Sequence, residues 1–179
     1  MNEADLLDHY ERTSEWTLST VNGATQQLDA RTPCDGWDVR TLMNHMLHSQ
    51  QYFASSARGE DAQLTPEPPE LLSDDPARDF EHAQSDVRSV FGEDGVVERT
   101  GPMLGIAFSD LLLHGWDLAK ATGQDTQMPD GLPEAAYQMI HGRFTEEQRK
   151  GVFKPEIPVA DDASPQDKLL AYTGRDPAA

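Results

Sequence analysis

Asp110 and His114 stand four residues apart, so on a helix their side chains leave the same face one turn apart. A carboxylate and an imidazole in that register can hold a divalent ion from one helix. They can equally satisfy one another as an Asp–His hydrogen bond or lie on a partly exposed face. The surrounding segment, 103–122, is the most apolar in the chain, and an ionisable pair there is costly without partners. A second pair, His45 and His48, lies three residues apart. At about 100° per residue the apolar stripe of that segment centres near Met43 and Met46, with His45 about 130° and His48 about 170° away. His45 is therefore the better placed to face another helix across a groove, and His48 lies nearer solvent. A surface or boundary position is the ordinary fate of either histidine. Three ligands from two helices, His45, Asp110 and His114, would leave coordination positions open, as catalytic metal sites do. A metal so held lowers the pKa of a bound water or thiol and polarises a carbonyl. Protons should compete with it below the ordinary imidazole pKa of about 6.5.

The remaining chemistry-bearing residues carry less. Asp117, three past His114, can orient it through a hydrogen bond or stand exposed. Trp37 and Trp116 read as core anchors. Cys34 sits in a polar loop beside Asp35, an anion that disfavours a thiolate, so it is not read as a nucleophile. His9, His82 and His141 have no partner at helical spacing and read as surface residues. No phosphate-binding glycine loop or nucleophile elbow is present.

The elements that must position these groups are helical. Leu6, Tyr10, Thr13, Thr17, Val21 and Ala24 recur at three- and four-residue spacing, predicting a helix over about 4–27 that Asn22-Gly23 weakens. A turn-rich loop at 32–37 leads to a second helix capped by Asp38 and running to about 57. Residues 58–75, proline-rich and acidic, read as a long exposed loop. Asp75-Pro76 opens a third helix ending at Phe91. Residues 96–100 read as a short strand. The fourth helix, 103–122, stops at Gly123. Shorter helices are expected at about 133–142 and 165–172, with a capping-box turn at 145–148 between them. The fold class is all-α, an antiparallel four-helix bundle. It forms one domain over 1–179, with the bundle at about 4–145 and a C-terminal extension at 146–179.

Composition excludes whole classes. There are 32 Asp and Glu against 14 Lys and Arg, a formal charge of −18. A phosphate backbone or an anionic membrane surface demands the opposite sign, so no nucleic acid and no membrane is expected as partner. No apolar run nears the roughly 20 residues of a membrane span. The N-terminus is too acidic for a secretory signal. With Cys34 as the only cysteine, neither an intrachain disulfide nor a multi-cysteine zinc site can form. A cytoplasmic protein is expected. At 37% hydrophobic residues the chain is lean enough to raise disorder, but the helical periodicity and well-placed caps argue against it.

Residues 32–45, TPCDGWDVRTLMNH, resemble the N-terminal motif of the mycothiol-dependent maleylpyruvate isomerase family of the DinB/YfiT-like superfamily. The spacing from Trp37 to His45 matches. Residues 110–123, DLLLHGWDLAKATG, resemble its second metal motif, an acidic residue four before a histidine. The ending at 164–177 resembles a mainly actinobacterial subgroup. The resemblance implies a four-helix bundle holding one divalent metal through His45, Asp110 and His114. That metal is zinc in the best-understood members, with nickel or another divalent ion as alternatives. It also implies a low-molecular-weight thiol cofactor, and a small-molecule thiol or electrophilic substrate as partner. A homodimer is a further open expectation. The acidic ligand is Asp110 where the isomerase uses Glu. The isomerase also completes its site with a sterol-carrier-like domain, absent from these 179 residues, so its own activity is not expected here. The expected function is a thiol-dependent transferase or isomerase. A metal-dependent hydrolase of the same fold and a non-catalytic metal- or ligand-binding module are the alternatives.

Overall fold

The structure, a computed structural model, describes residues 2–150 and 152–178. Among them are eight helices and no strand: α1 (Glu3–Ala24), α2 (Val39–Arg58), α3 (Pro76–Phe91), α4 (Val96–Thr100), α5 (Met103–Thr122), α6 (Leu132–Ile140), α7 (Glu146–Arg149) and α8 (Pro165–Tyr172). Each of the four long helices packs on two of the others: α1 on α3 and α5, α2 on the same two. The result is an all-helical bundle in which α5, further covered by α6, is buried on most of its circumference.

Local chemistry sets the boundaries. The Asp38 carboxylate accepts the Thr41 backbone N–H at 2.8 Å and its hydroxyl at 2.7 Å, fixing the start of α2. Asp75 caps α3 ahead of Pro76. Asn2 and Asp5 form a reciprocal capping box on α1. Gly123, at φ 69°, ends α5 in the left-handed conformation that a side chain would resist. One expected element changes type: residues 96–100 form the short helix α4, not a strand. Val96 and Val97 have β propensity but are buried here, in a helix packed on α3 and α5, and tertiary packing overrides the preference. The 59–75 connection is not wholly exposed either. Buried Asn44 on α2 accepts the backbone N–H groups of Leu71 and Leu72 at 2.7 and 2.8 Å, pinning its far end.

α1 approaches α5 closely at Gly115. A Cβ there would lie 2.6 Å from the Trp16 ring and 2.9 Å from Oγ1 of buried Thr17. Gly115→Ala is therefore expected to destabilise the protein by about 1–3 kcal/mol, the usual cost of overpacking. A denaturant midpoint unchanged or raised in that variant would contradict this close fit.

Candidate metal centre

Two helices supply the three expected ligand residues. His45 comes from the second turn of α2, which the Asp38 cap holds in register. Asp110 and His114 come from the middle of α5, one turn apart. Ligand-capable atoms of all three lie within 4.8 Å of one another. The His45 and His114 rings meet edge to face at 4.9 Å, and Trp37 packs on His45 at 4.8 Å. The Asp110 Oδ1 faces Nε2 of His114 at 3.6 Å. The other Asp110 oxygen is buried and has no hydrogen-bond partner among the described residues. A shielded carboxylate oxygen left without a hydrogen bond beside two imidazoles is a donor set that a borderline ion such as zinc suits. The residues present therefore fit a divalent metal.

His48 stays outside this cluster. It is half-buried rather than solvent-facing, and its shielded Nδ1 has no partner among the described residues. His82 and His141 are exposed, as expected of surface residues; His9 is half-buried with its ring beside Phe108.

Behind His114 lies a charged network. Its Nδ1 donates to Asp117 Oδ2 at 2.9 Å. Asp117 is fully buried. It also accepts Arg175 Nε on Oδ1 at 2.8 Å and Arg175 Nη2 on Oδ2 at 2.6 Å. The Cys34 thiol donates to the same Oδ2 at 3.3 Å and lies 3.9 Å from His114 Nδ1. Asp117 is thus an orienting acceptor, one of the two positions the sequence left open for it. The Asp35 carboxylate, next to Cys34 in sequence, pairs with Lys154 at 2.7 Å. The carboxylate at the thiol is Asp117.

The electrostatics divide the two histidines. Burial, then the positive charge of His114, pushes His45 down to about 4, so it is neutral at physiological pH. Burial also opposes protonation of His114. The hydrogen bond to Asp117, the Cys34 contact and the Asp110 charge outweigh it and raise His114 to about 10. Burial alone would raise Asp117, but the charge of Arg175 and the hydrogen bonds from His114 and Arg175 hold it well below the usual carboxylate range. One histidine is thus neutral, its Nε2 3.4 Å from the Ser49 hydroxyl, and the other carries a proton that an arriving cation must displace.

The centre opens into a cavity of about 920 Å³. One wall is a stripe of α5 running from Ile106 to Lys120; another comes from the C-terminal region, including Phe153, Lys154 and Arg175. Trp37 and Trp116 both line it, so the two tryptophans are wall residues as well as packing anchors. Sequence periodicity did not single out Arg175 or Phe153, because both lie outside the helices.

Residues 10–119 match the family model described as the mycothiol maleylpyruvate isomerase N-terminal domain. The chain belongs to this family. The mycothiol maleylpyruvate isomerase N-terminal match contains Cys34, His45, Asp110, His114 and Asp117, and stops short of Arg175. Two uncharacterised proteins of Mycobacterium tuberculosis, from strains CDC 1551 and H37Rv, are each 25% identical to the chain over 185 residues. Each alignment covers 95% of this chain and 97% of the relative, so the likeness extends through the C-terminal region. No solved structure matches the sequence.

Proposed function

We propose that this protein binds one divalent metal, zinc in the first instance, through His45, Asp110 and His114, and acts on a small electrophile as a thiol-dependent transferase or isomerase. The convergence of those three side chains around a partnerless Asp110 oxygen carries the metal reading. The family's description supports the thiol. Bound there, the ion would supply Lewis acidity and a lowered pKa for a thiol or water beside it. The chain's own residues do the rest. Asp117 holds the His114 ring so that Nε2 faces the centre, and Trp37 fixes the plane of His45. The tryptophans and Phe153 keep the approach to the centre largely apolar.

Metal analysis of the purified protein after zinc loading and dialysis is expected to give about one ion per chain, falling to near zero in His45→Ala. With cobalt in place of zinc, a millimolar small thiol should produce a sulfur-to-metal charge-transfer band. Loading that survives in His45→Ala would sink the metal assignment. Metal-dependent ester hydrolysis with no thiol band would replace the transferase reading with a hydrolase.

A further inference from the structure

Three of the chain's four lysines, Lys120, Lys150 and Lys154, line the same cavity. In a protein of net charge −18 that concentration is not what an even surface distribution would give. Two of the three are already engaged: Lys150 with Glu147 at 3.2 Å and Lys154 with Asp35 at 2.7 Å. Lys120 is exposed and has no ion pair among the described residues. A basic residue in the last turn of a helix is favoured by the helix dipole, which accounts for Lys120 on α5 but not for the gathering of lysines on one cavity.

The placement of Lys120 has a direction. Asp110, Leu113, His114, Asp117 and Lys120 share one face of α5 and all line the cavity. At 1.5 Å per residue, Lys120 lies about 9 Å along the axis from His114. Much of the remaining wall is apolar: Leu113 and Trp116 on α5, and Phe144 and Phe153, edge to face with one another at 5.4 Å. A small hydrophilic thiol alone leaves such surface uncovered, and burying it favours an apolar ligand.

We infer that the organic ligand of this cavity has an apolar body, ring-sized or larger, and an anionic group that Lys120 recognises at the end remote from the metal centre. The inference rests on the reading of this cavity as the ligand site of that centre. The protein's net field repels anions, and Asp35, Asp110, Asp117 and Asp176 line the cavity too, so Lys120, the lining ammonium with no ion pair among the described residues, determines where an anionic group can sit. Lys120 is thus a specificity-determining residue and takes no part in holding the metal.

The test uses two fluorescent probes of nearly one shape, anilinonaphthalene sulfonate and its uncharged parent phenylnaphthylamine, on the metal-free protein. Both are expected to bind. Lys120→Gln should weaken the sulfonate about fivefold, as for loss of one exposed charge pair, and move the neutral probe less than about twofold. Ile106→Asp, on the half-exposed cavity wall, should weaken both, with folding checked by the melting curve. An unchanged sulfonate affinity in Lys120→Gln, an equal loss of both probes there, or indifference of both to Ile106→Asp overturns the inference. Zinc titration in parallel separates the two readings. Absent metal binding with the Lys120 effect intact removes only the metal centre. Normal metal binding without that effect removes only the anion recognition.

Discussion

Zinc added to the metal-free protein near neutral pH is expected to release about one proton per ion bound, and its affinity should rise about tenfold per pH unit between roughly pH 5 and 8. The sign follows from the two histidines. His114 is raised to about 10, so below that pH the imidazolium must lose its Nε2 proton before it can coordinate. His45 is lowered to about 4, so a second proton competes only below that value. Ordinary imidazoles with pKa values of about 6.5 would instead release almost nothing above neutrality and up to two protons below it. Calorimetry in buffers of different ionisation enthalpy counts the protons directly. A count near zero or near two would show that Asp117 does not hold His114 in its charged form. Replacing a ligand has the larger effect on affinity. His114→Ala should cost more than the 10–100-fold typical of losing an orienting partner, and Asp117→Asn should fall within that range.

The largest expected effect on stability lies at the Asp117–Arg175 pair. Both side chains are largely or wholly shielded, and the bond is two-pronged. Asp117→Ala strands a buried guanidinium and should cost about 3–5 kcal/mol, a melting-temperature drop of roughly 6–20 °C for a chain of this size. Arg175→Met strands the carboxylate but leaves it its bonds to His114 and Cys34, so its cost should be smaller. The double variant Asp117→Ala, Arg175→Met should lose less than the sum of the two singles by about 2 kcal/mol or more. Additive losses would mean that the two residues act independently. The linkage runs the same way: Asp117 is depressed, so its stabilisation is present above the unfolded value of about 3.9 and fades as pH falls below it.

Much of the bundle was legible because its signals are local. Asp75-Pro76 and Phe91-Gly92 bracket α3, and Met103 and Gly123 bracket α5, at the residues the pattern named. α1 ends three residues early because Thr25 and the residues after it turn toward the 32–37 loop. The four-residue step from Asp110 to His114 and the cap-fixed register of His45 were enough to bring three side chains together. What could not be read depends on contacts made far along the chain. Cys34 and Asp117 are 83 residues apart, and Asp117 and Arg175 are 58 apart. No spacing rule links a loop thiol, a buried helix carboxylate and a tail guanidinium. Asp35 stands next to Cys34 in sequence and pairs with Lys154, while the carboxylate that accepts the Cys34 thiol comes from Asp117 on α5. Val96 and Val97 misled for a related reason: propensity is local, and burial on α3 and α5 decides.

The connection after α2 is anchored at its start by Gly59 and Glu60 and at its far end by Glu70, Leu71, Leu72 and Ser73, whereas residues 61–69 make no hydrogen bond to the rest of the protein among the described residues. Leu64, Thr65 and Pro66, in the stretch between, form one lip of the cavity and are exposed. The opposite lip is tied down, with Lys154 bonded to Asp35 and to the Pro33 carbonyl and Arg175 to Asp117. Opening the first lip breaks almost nothing, whereas opening the second breaks ion pairs. Traffic through the cavity should therefore be one-sided, with arrival and departure rates set by the acidic, proline-rich segment and equilibrium affinity by the wall that the tail holds in place. Substitutions between Leu64 and Pro66 would then change how fast a ligand exchanges while leaving its equilibrium affinity close to unchanged.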